Sequence, residues 1–194
     1  MSLTRISLAL LASVILTACT SAGSMQMSSA YDAGTAADGA AASPALTDAN
    51  IAAIVLAANT IDIKNAELAL QKSQNPEIRK FAQQMVTDHN GVNNAAVELA
   101  TKLKLTPVPN ETSTGLTKGT DDTRAALAKK SGAEFDRAYI ANEVAYHKTV
   151  LGAVDSALIP SASNAELKAL LVSVRPAFVA HTEHAEMVSK AVGN

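Results

Sequence analysis

Tryptophan is absent from this 194-residue chain, and phenylalanine and tyrosine occur only three times each. A core with so little aromatic volume has to close on aliphatic side chains and alanine, which favours helices in close approach. The single cysteine, Cys19, excludes an intrachain disulfide. Sixteen basic residues stand against eighteen acidic ones, so the charge pattern offers no basic patch for nucleic acid. There is no Gly-rich phosphate loop, no His-Glu-x-x-His and no Ser-His-Asp order, which weighs against a hydrolase or an oxidase. No apolar run reaches the ~20 residues that a membrane-spanning helix needs.

The longest apolar run lies at the start. Arg5 precedes Ile6 to Thr17, and small residues follow, the order of a secretory signal peptide. Leu16-Thr17-Ala18-Cys19 resembles the bacterial lipobox. That resemblance implies a lipoprotein signal peptide over residues 1–18, cleavage before Cys19 and lipidation of its thiol. Thr20 rather than Asp follows the cysteine, which implies sorting to the outer membrane, facing the periplasm, in enteric-type bacteria. The alternative is an ordinary secreted protein with a chance cysteine. Several acyl chains on Cys19 would hold the protein to the membrane where one would not. Residues 19–46 are rich in Ser, Ala, Gly and Met without apolar periodicity, and they read as a flexible tether. The remaining residues, 47–194, suffice for one domain with its own core.

Caps and periodicity divide that domain into four long helices. Helix 1 is expected from Asp48 to Ser73 with Thr47 or Asp48 as N-cap, and helix 2 from Pro76, capped by Asn75, to Lys104. A loop follows through Gly119, then a short extra helix from Asp121 to Lys130. Helix 3 is expected from Ala133 to Leu158, broken by Pro160. Ser163 with Glu166 suggests a capping box for helix 4, which reaches Val192 and contains Pro176. The expected fold is all-α, an antiparallel four-helix bundle. The long connection between helices 2 and 3 leaves its order open: simple up-down, or a full-length crossover.

Helical wheels place ionisable groups on apolar stripes. Asp62 lies among Ile51, Ile54, Val55, Ile61 and Leu68. His89 centres the stripe of Phe81, Met85 and Ala96, with Asp88 at its edge. Asp136, Glu143 and His147 lie among Phe135, Tyr139 and Ile140, while His181 and the marginal His184 lie among Leu171, Val174 and Phe178. Buried groups of this kind need partners. The simpler reading is a structural polar layer of Asp–His and Glu–His hydrogen bonds, to which Asp88, Asp136 and His184 belong. The alternative is a divalent transition metal held by Asp62, His89, Glu143, His147 and His181. An undetected ligand pocket is the third. Counted from Pro160 in an up-down bundle, His181 falls ~10 Å out of level with the other groups, too far for one ion to join all four helices.

Asn75-Pro76-Glu77-Ile78, followed by Phe81-Ala82-Gln83-Gln84-Met85-Val86-Thr87-Asp88-His89, resembles the hallmark of domain of unknown function family 4142. Ser131 to Ile140 resembles its second motif with His147 following, and Pro176 with His181 its third, with Arg175 where Leu is usual. The resemblance covers residues 47–192. It implies a ferritin-like four-helix bundle in an exported bacterial protein, carries no established activity, and marks His89, His147 and His181. The Glu-x-x-His pairs of ferritin-like di-iron enzymes are missing, which argues against oxygen activation by such a centre: Glu143 and His147 are four apart. The leading functional expectation is a non-catalytic envelope module that binds a protein or cell-wall partner, with a metal-binding bundle as the alternative. Cys19→Ser is expected to release the protein from the membrane fraction or to block its processing. Unchanged, detergent-dependent membrane association of the variant would refute lipidation.

Overall fold

The computed structural model describes residues 46–193, all of whose regular structure is helical. The expected signal peptide, Cys19 and the tether up to residue 45 lie outside the described residues. Helix α1 spans Asp48–Lys72, and Thr47 and Asn50 close a reciprocal capping box at its start. Helix α2 spans Pro76–Lys102, with the Asn75 side chain accepting from the Glu77 and Ile78 amides. Helix α3 is Glu111–Ala128, α4 is Gly132–Ala153, and a π-helical turn, Val154–Leu158, leads into the single turn α5, Ile159–Ser161. Helix α6 spans Ala165–Ala191 and contains Pro176.

Most boundaries fall within two residues of the sequence expectation, and three features differ in kind. The extra helix α3 begins ten residues early, at Glu111 rather than Asp121. Thr and Gly, poor helix formers, fill its first half and read as loop. In the fold, Thr114, Thr117, Thr120 and Thr123 each donate to the carbonyl four residues back. Ser113, Thr120 and Leu127 are buried, so tertiary packing supplies what propensity withholds. Pro160 does not break helix 3. It sits in α5, which continues the helix from the π turn with helical backbone at Leu158 and Ile159. The cap of α6 is Asn164, accepting from the Glu166 and Leu167 amides, rather than Ser163. The Ser163 amide instead donates to Asp48.

Cross-helix pairs fix the directions. The three-residue turn Ser73–Asn75 makes α1 and α2 neighbours of opposite sense. Gln84 meets His184, Asp88 meets His181 and Lys102 meets Glu166, so α2 and α6 oppose each other. Lys148–Glu186 and Asp155–Arg175 show the same for α4 and α6. Helices α2 and α4 therefore point the same way, and the chain must travel the whole length of the molecule between them. Helix α3 makes that journey alongside α1. Val108, just before it, pairs with Ala49 and Asn50 at one end of α1, and Lys72 at the other end donates to the Ala128 carbonyl. Gly132, at φ +54°, turns the chain from α3 into α4. The open question of connectivity thus resolves as a full-length crossover.

The core falls into two apolar clusters. One gathers Phe81, Met85, Phe135, Tyr139 and Ile140; the other gathers Ile51, Ile54, Leu158, Leu171 and Phe178. Between them lies a layer of buried polar side chains. At the first pole of α1, Asp48 accepts from the Ser163 and Asn164 amides at 2.9 and 3.0 Å, tying the α5–α6 connection to the start of the domain. Asn110 accepts from the Ser113 amide at 2.9 Å and begins α3. Asn110→Ala is expected to lower stability by about 1 kcal/mol, the worth of an N-cap side chain, measured as a reduced urea midpoint at unchanged slope.

Candidate metal centre

The layer between the two clusters is built from all four long helices. Asp62 and Asn59 come from α1, His89 from α2, Glu143 and His147 from α4, and His181 from α6. All are buried, Asp62 and Glu143 completely. His181 stands level with the others: its ring centroid lies 5.2 Å from that of His89 and 5.6 Å from that of His147. The expected ~10 Å mismatch vanishes because the chain turns at residues 162–164 and not at Pro160, which removes most of the surplus residues before His181.

Each imidazole spends one nitrogen on an acceptor outside the cluster. The Asn59 amide donates to the Val55 carbonyl at 2.8 Å, which turns its oxygen toward His89 Nδ1 at 2.6 Å. His147 Nδ1 donates to the Glu143 carbonyl at 3.0 Å, and His181 Nε2 to the Asp88 carboxylate at 2.9 Å. With one nitrogen of each ring engaged this way, His89 Nε2, His147 Nε2 and His181 Nδ1 are the nitrogens that face inward. Among the described residues these three nitrogens, both Asp62 oxygens and Glu143 Oε2 are buried without a hydrogen-bond partner. Asp62 Oδ2 lies 3.1 Å from His89 Nε2 and 3.2 Å from His147 Nε2. Those distances suit hydrogen bonds, but the directions do not. The facing atoms of His89, His147 and His181 lie within 4.8 Å of one another, as do those of Asp62, Glu143 and His147, so the cluster could hold a metal ion.

The electrostatics are those of a buried acidic and imidazole cluster. Burial pushes the Asp62 carboxyl up, but the electrostatic attraction of His89 at 3.1 Å, contact with it at hydrogen-bonding distance, and then the attraction of His147 and His181 outweigh burial and hold the group below its ordinary value. Burial pushes Glu143 well up, helped by the neighbouring Asp62 charge. Burial also pushes His147 and His181 down, so both favour the neutral form.

The remaining polar residues play separate parts. Asp88 stays outside the cluster as the acceptor that orients His181, itself held by Gln84. His184 Nδ1 meets Gln84, and its ring lies edge-on to Phe81. Asp136 is buried but lies eleven residues before His147 on α4, roughly 16 Å along the helix, and belongs to no common layer with it. Asn59 and Asn65 are absent from the sequence reading although both are buried. Asn59 stands three residues before Asp62 on the same helix face, and that spacing is the signal that finds it.

The chain matches the family described as Domain of unknown function (DUF4142) over residues 33–188. It belongs to this family. No curated protein and no solved structure matches it. The matched segment of this DUF4142 protein contains every residue of the cluster.

The pH dependence of the metal-free protein follows from these shifts. A depressed imidazole pKa adds stability above the unfolded value near 6.5 and loses it as pH falls through the folded value. His147 and His181 should therefore lower the melting temperature on acidification below about pH 6.5. Glu143 acts with the opposite sign: its contribution is present below about pH 4.3 and is lost as pH rises through its raised folded value. Glu143→Gln in chelator should melt higher than wild type at pH 8, and a lower melting temperature there would contradict a neutral Glu143.

Proposed function

We propose that this protein is a metal-binding helical module of the bacterial cell envelope, with one divalent transition metal held by His89, His147, His181 and Asp62. The observation that carries the reading is a pair of buried triads that share His147, one of His89, His147 and His181 and one of Asp62, Glu143 and His147, with Asp62 also 3.1 Å from His89. Two ligand atoms about 2.1 Å from one ion, at coordination angles of roughly 90–110°, stand about 3.0–3.4 Å apart. The Asp62–His89 and Asp62–His147 separations of 3.1 and 3.2 Å fall in that interval. Three imidazoles with one carboxylate suit a borderline cation such as Zn²⁺ or Fe²⁺ better than Ca²⁺ or Mg²⁺. Asn59, Asp88 and the Glu143 carbonyl supply the outer acceptors that orient liganding histidines. Glu143, completely buried beside Asp62, is a reserve carboxylate that can ionise once a cation is present.

The fold we assign is a ferritin-like four-helix bundle, supported by the crossover α3 and by four long helices that each oppose their neighbours. The Glu-x-x-His pairs of di-iron enzymes are missing, so the reading is a single-ion site for binding or buffering metal. The lipobox at Leu16 to Cys19 supports export and anchoring by lipid, and the charge balance supports no nucleic-acid role.

Purified without a histidine tag and dialysed against Zn²⁺, the protein should carry one equivalent of metal and melt at a higher temperature than in chelator. His89→Ala and His181→Ala should abolish that response. Asn59→Ala should retain the fold and weaken the affinity about 10–100-fold, as loss of an orienting acceptor does. A melting temperature indifferent to Zn²⁺, Fe²⁺ and Mn²⁺ in a metal-free wild-type protein would rule out the site.

A further inference from the structure

A cavity of about 220 Å³ is lined from Leu46 and Ile54 to Asp62 and His89. Its walls are apolar for most of their length. Ile54 and Val55 of α1 and Leu170 and Val174 of α6 face it, and so does Phe178. From Ile54 to Asp62 it follows eight residues of helix, roughly 12 Å. An engineered apolar cavity of about 150 Å³ holds benzene, so this one has room for a longer occupant. A void of this size in a core is destabilising while nothing fills it.

The π-helical turn forms part of the wall. Val154, Ala157 and Leu158, three of its five residues, line the cavity. A π turn inserts a residue into a helix and re-aims the side chains around it, and such turns recur at functional sites. Thr112 of α3, exposed to solvent, also lines the cavity, which places its opening beside the crossover helix.

The polar groups along the cavity are not equally free. The Tyr146 hydroxyl donates to the Ala58 carbonyl, the Thr149 hydroxyl to the Ala145 carbonyl, and Asn59 is spent between Val55 and His89. Deep in the cavity, unspent polar capacity is found at one end, on Asp62 and on His89 Nε2. An occupant therefore meets hydrocarbon along its body and the metal cluster at its head.

We infer that this cavity binds a small amphiphile, an unbranched apolar chain with a single oxygen headgroup, whose head completes the coordination of the metal beside Asp62 and His89. The inference rests on the metal reading above and adds the class of molecule that reaches it. Four protein ligands leave a first-row ion with a position for an exogenous oxygen when it expands its coordination, and a carboxylate or alcohol of an aliphatic chain supplies one. Ligand sites of this kind are mostly apolar with a few convergent polar groups, which is the distribution found here.

The test uses the full-length protein loaded with Co²⁺ alone and titrated with octanoate. Octanoate should change the visible Co²⁺ spectrum, saturate at one equivalent and raise the melting temperature. Val174→Phe, which fills the cavity away from the ligands, should take up Co²⁺ normally and bind octanoate at least tenfold more weakly. Ala157→Leu, a smaller filling in the π turn, should weaken it in the same direction. Normal Co²⁺ uptake with no spectral or thermal response to octanoate overturns the inference, and so does equal octanoate affinity in wild type and both filled variants. A protein that takes up no Co²⁺ fails the metal reading, and the headgroup contact falls with it. Benzene added to metal-free protein reads the apolar wall separately: it should raise the melting temperature of wild type and not of Val174→Phe. No response to benzene in wild type overturns the cavity as a binding site.

Discussion

A carboxylate with no exposed surface, Asp62, sits at the middle of the helical assembly and sets terms for everything around it. Taking such a charge out of water costs several kcal/mol unless positive charge or directed hydrogen bonds replace the solvent. The described residues place two imidazole nitrogens at hydrogen-bonding distance from it. Asn59 and the Glu143 carbonyl take the other nitrogen of each ring. The inner faces of the rings and the two buried carboxylates thus form a cluster that could hold a metal ion.

That arrangement depends on long-range topology. His89, His147 and His181 come level only because α2 and α4 run in the same direction while α1 and α6 run against them. The parallel pair is possible only because α3 carries the chain back along α1. Burial of Ser113, Thr120 and Leu127 gives that connector a regular path despite its poor helix propensity. Apolar clusters close both sides of the polar layer and limit water around Asp62 and Glu143.

Much of the site is legible in the sequence. Helical periodicity alone places Asp62, His89, Glu143, His147 and His181 on inward faces, because the helices are long and their apolar stripes regular. The relative height of His181 is not legible, since it depends on whether Pro160 ends a helix or opens a final turn, and proline is compatible with both. Asp136 shows the converse limit. It shares a helical face with His147, yet a wheel projects away the axial distance that separates them. The π turn leaves no mark in residue type, and Asn59 is marked only by its three-residue spacing from Asp62. The extent of α3 is missed because local propensity and tertiary packing disagree there, and packing prevails.

The first pole of α1 has a mechanical consequence. Asp48 grips the amides of Ser163 and Asn164, while Ala49 and Asn50 hold both sides of the Val108 peptide. A pull on the chain at Leu46 therefore does not peel α1 away one turn at a time. It loads the α2–α3 and α5–α6 connections together, and several short hydrogen bonds must give at once before any helix unravels. An attachment on that side passes its load to those two connections, about ten residues or more from the histidines.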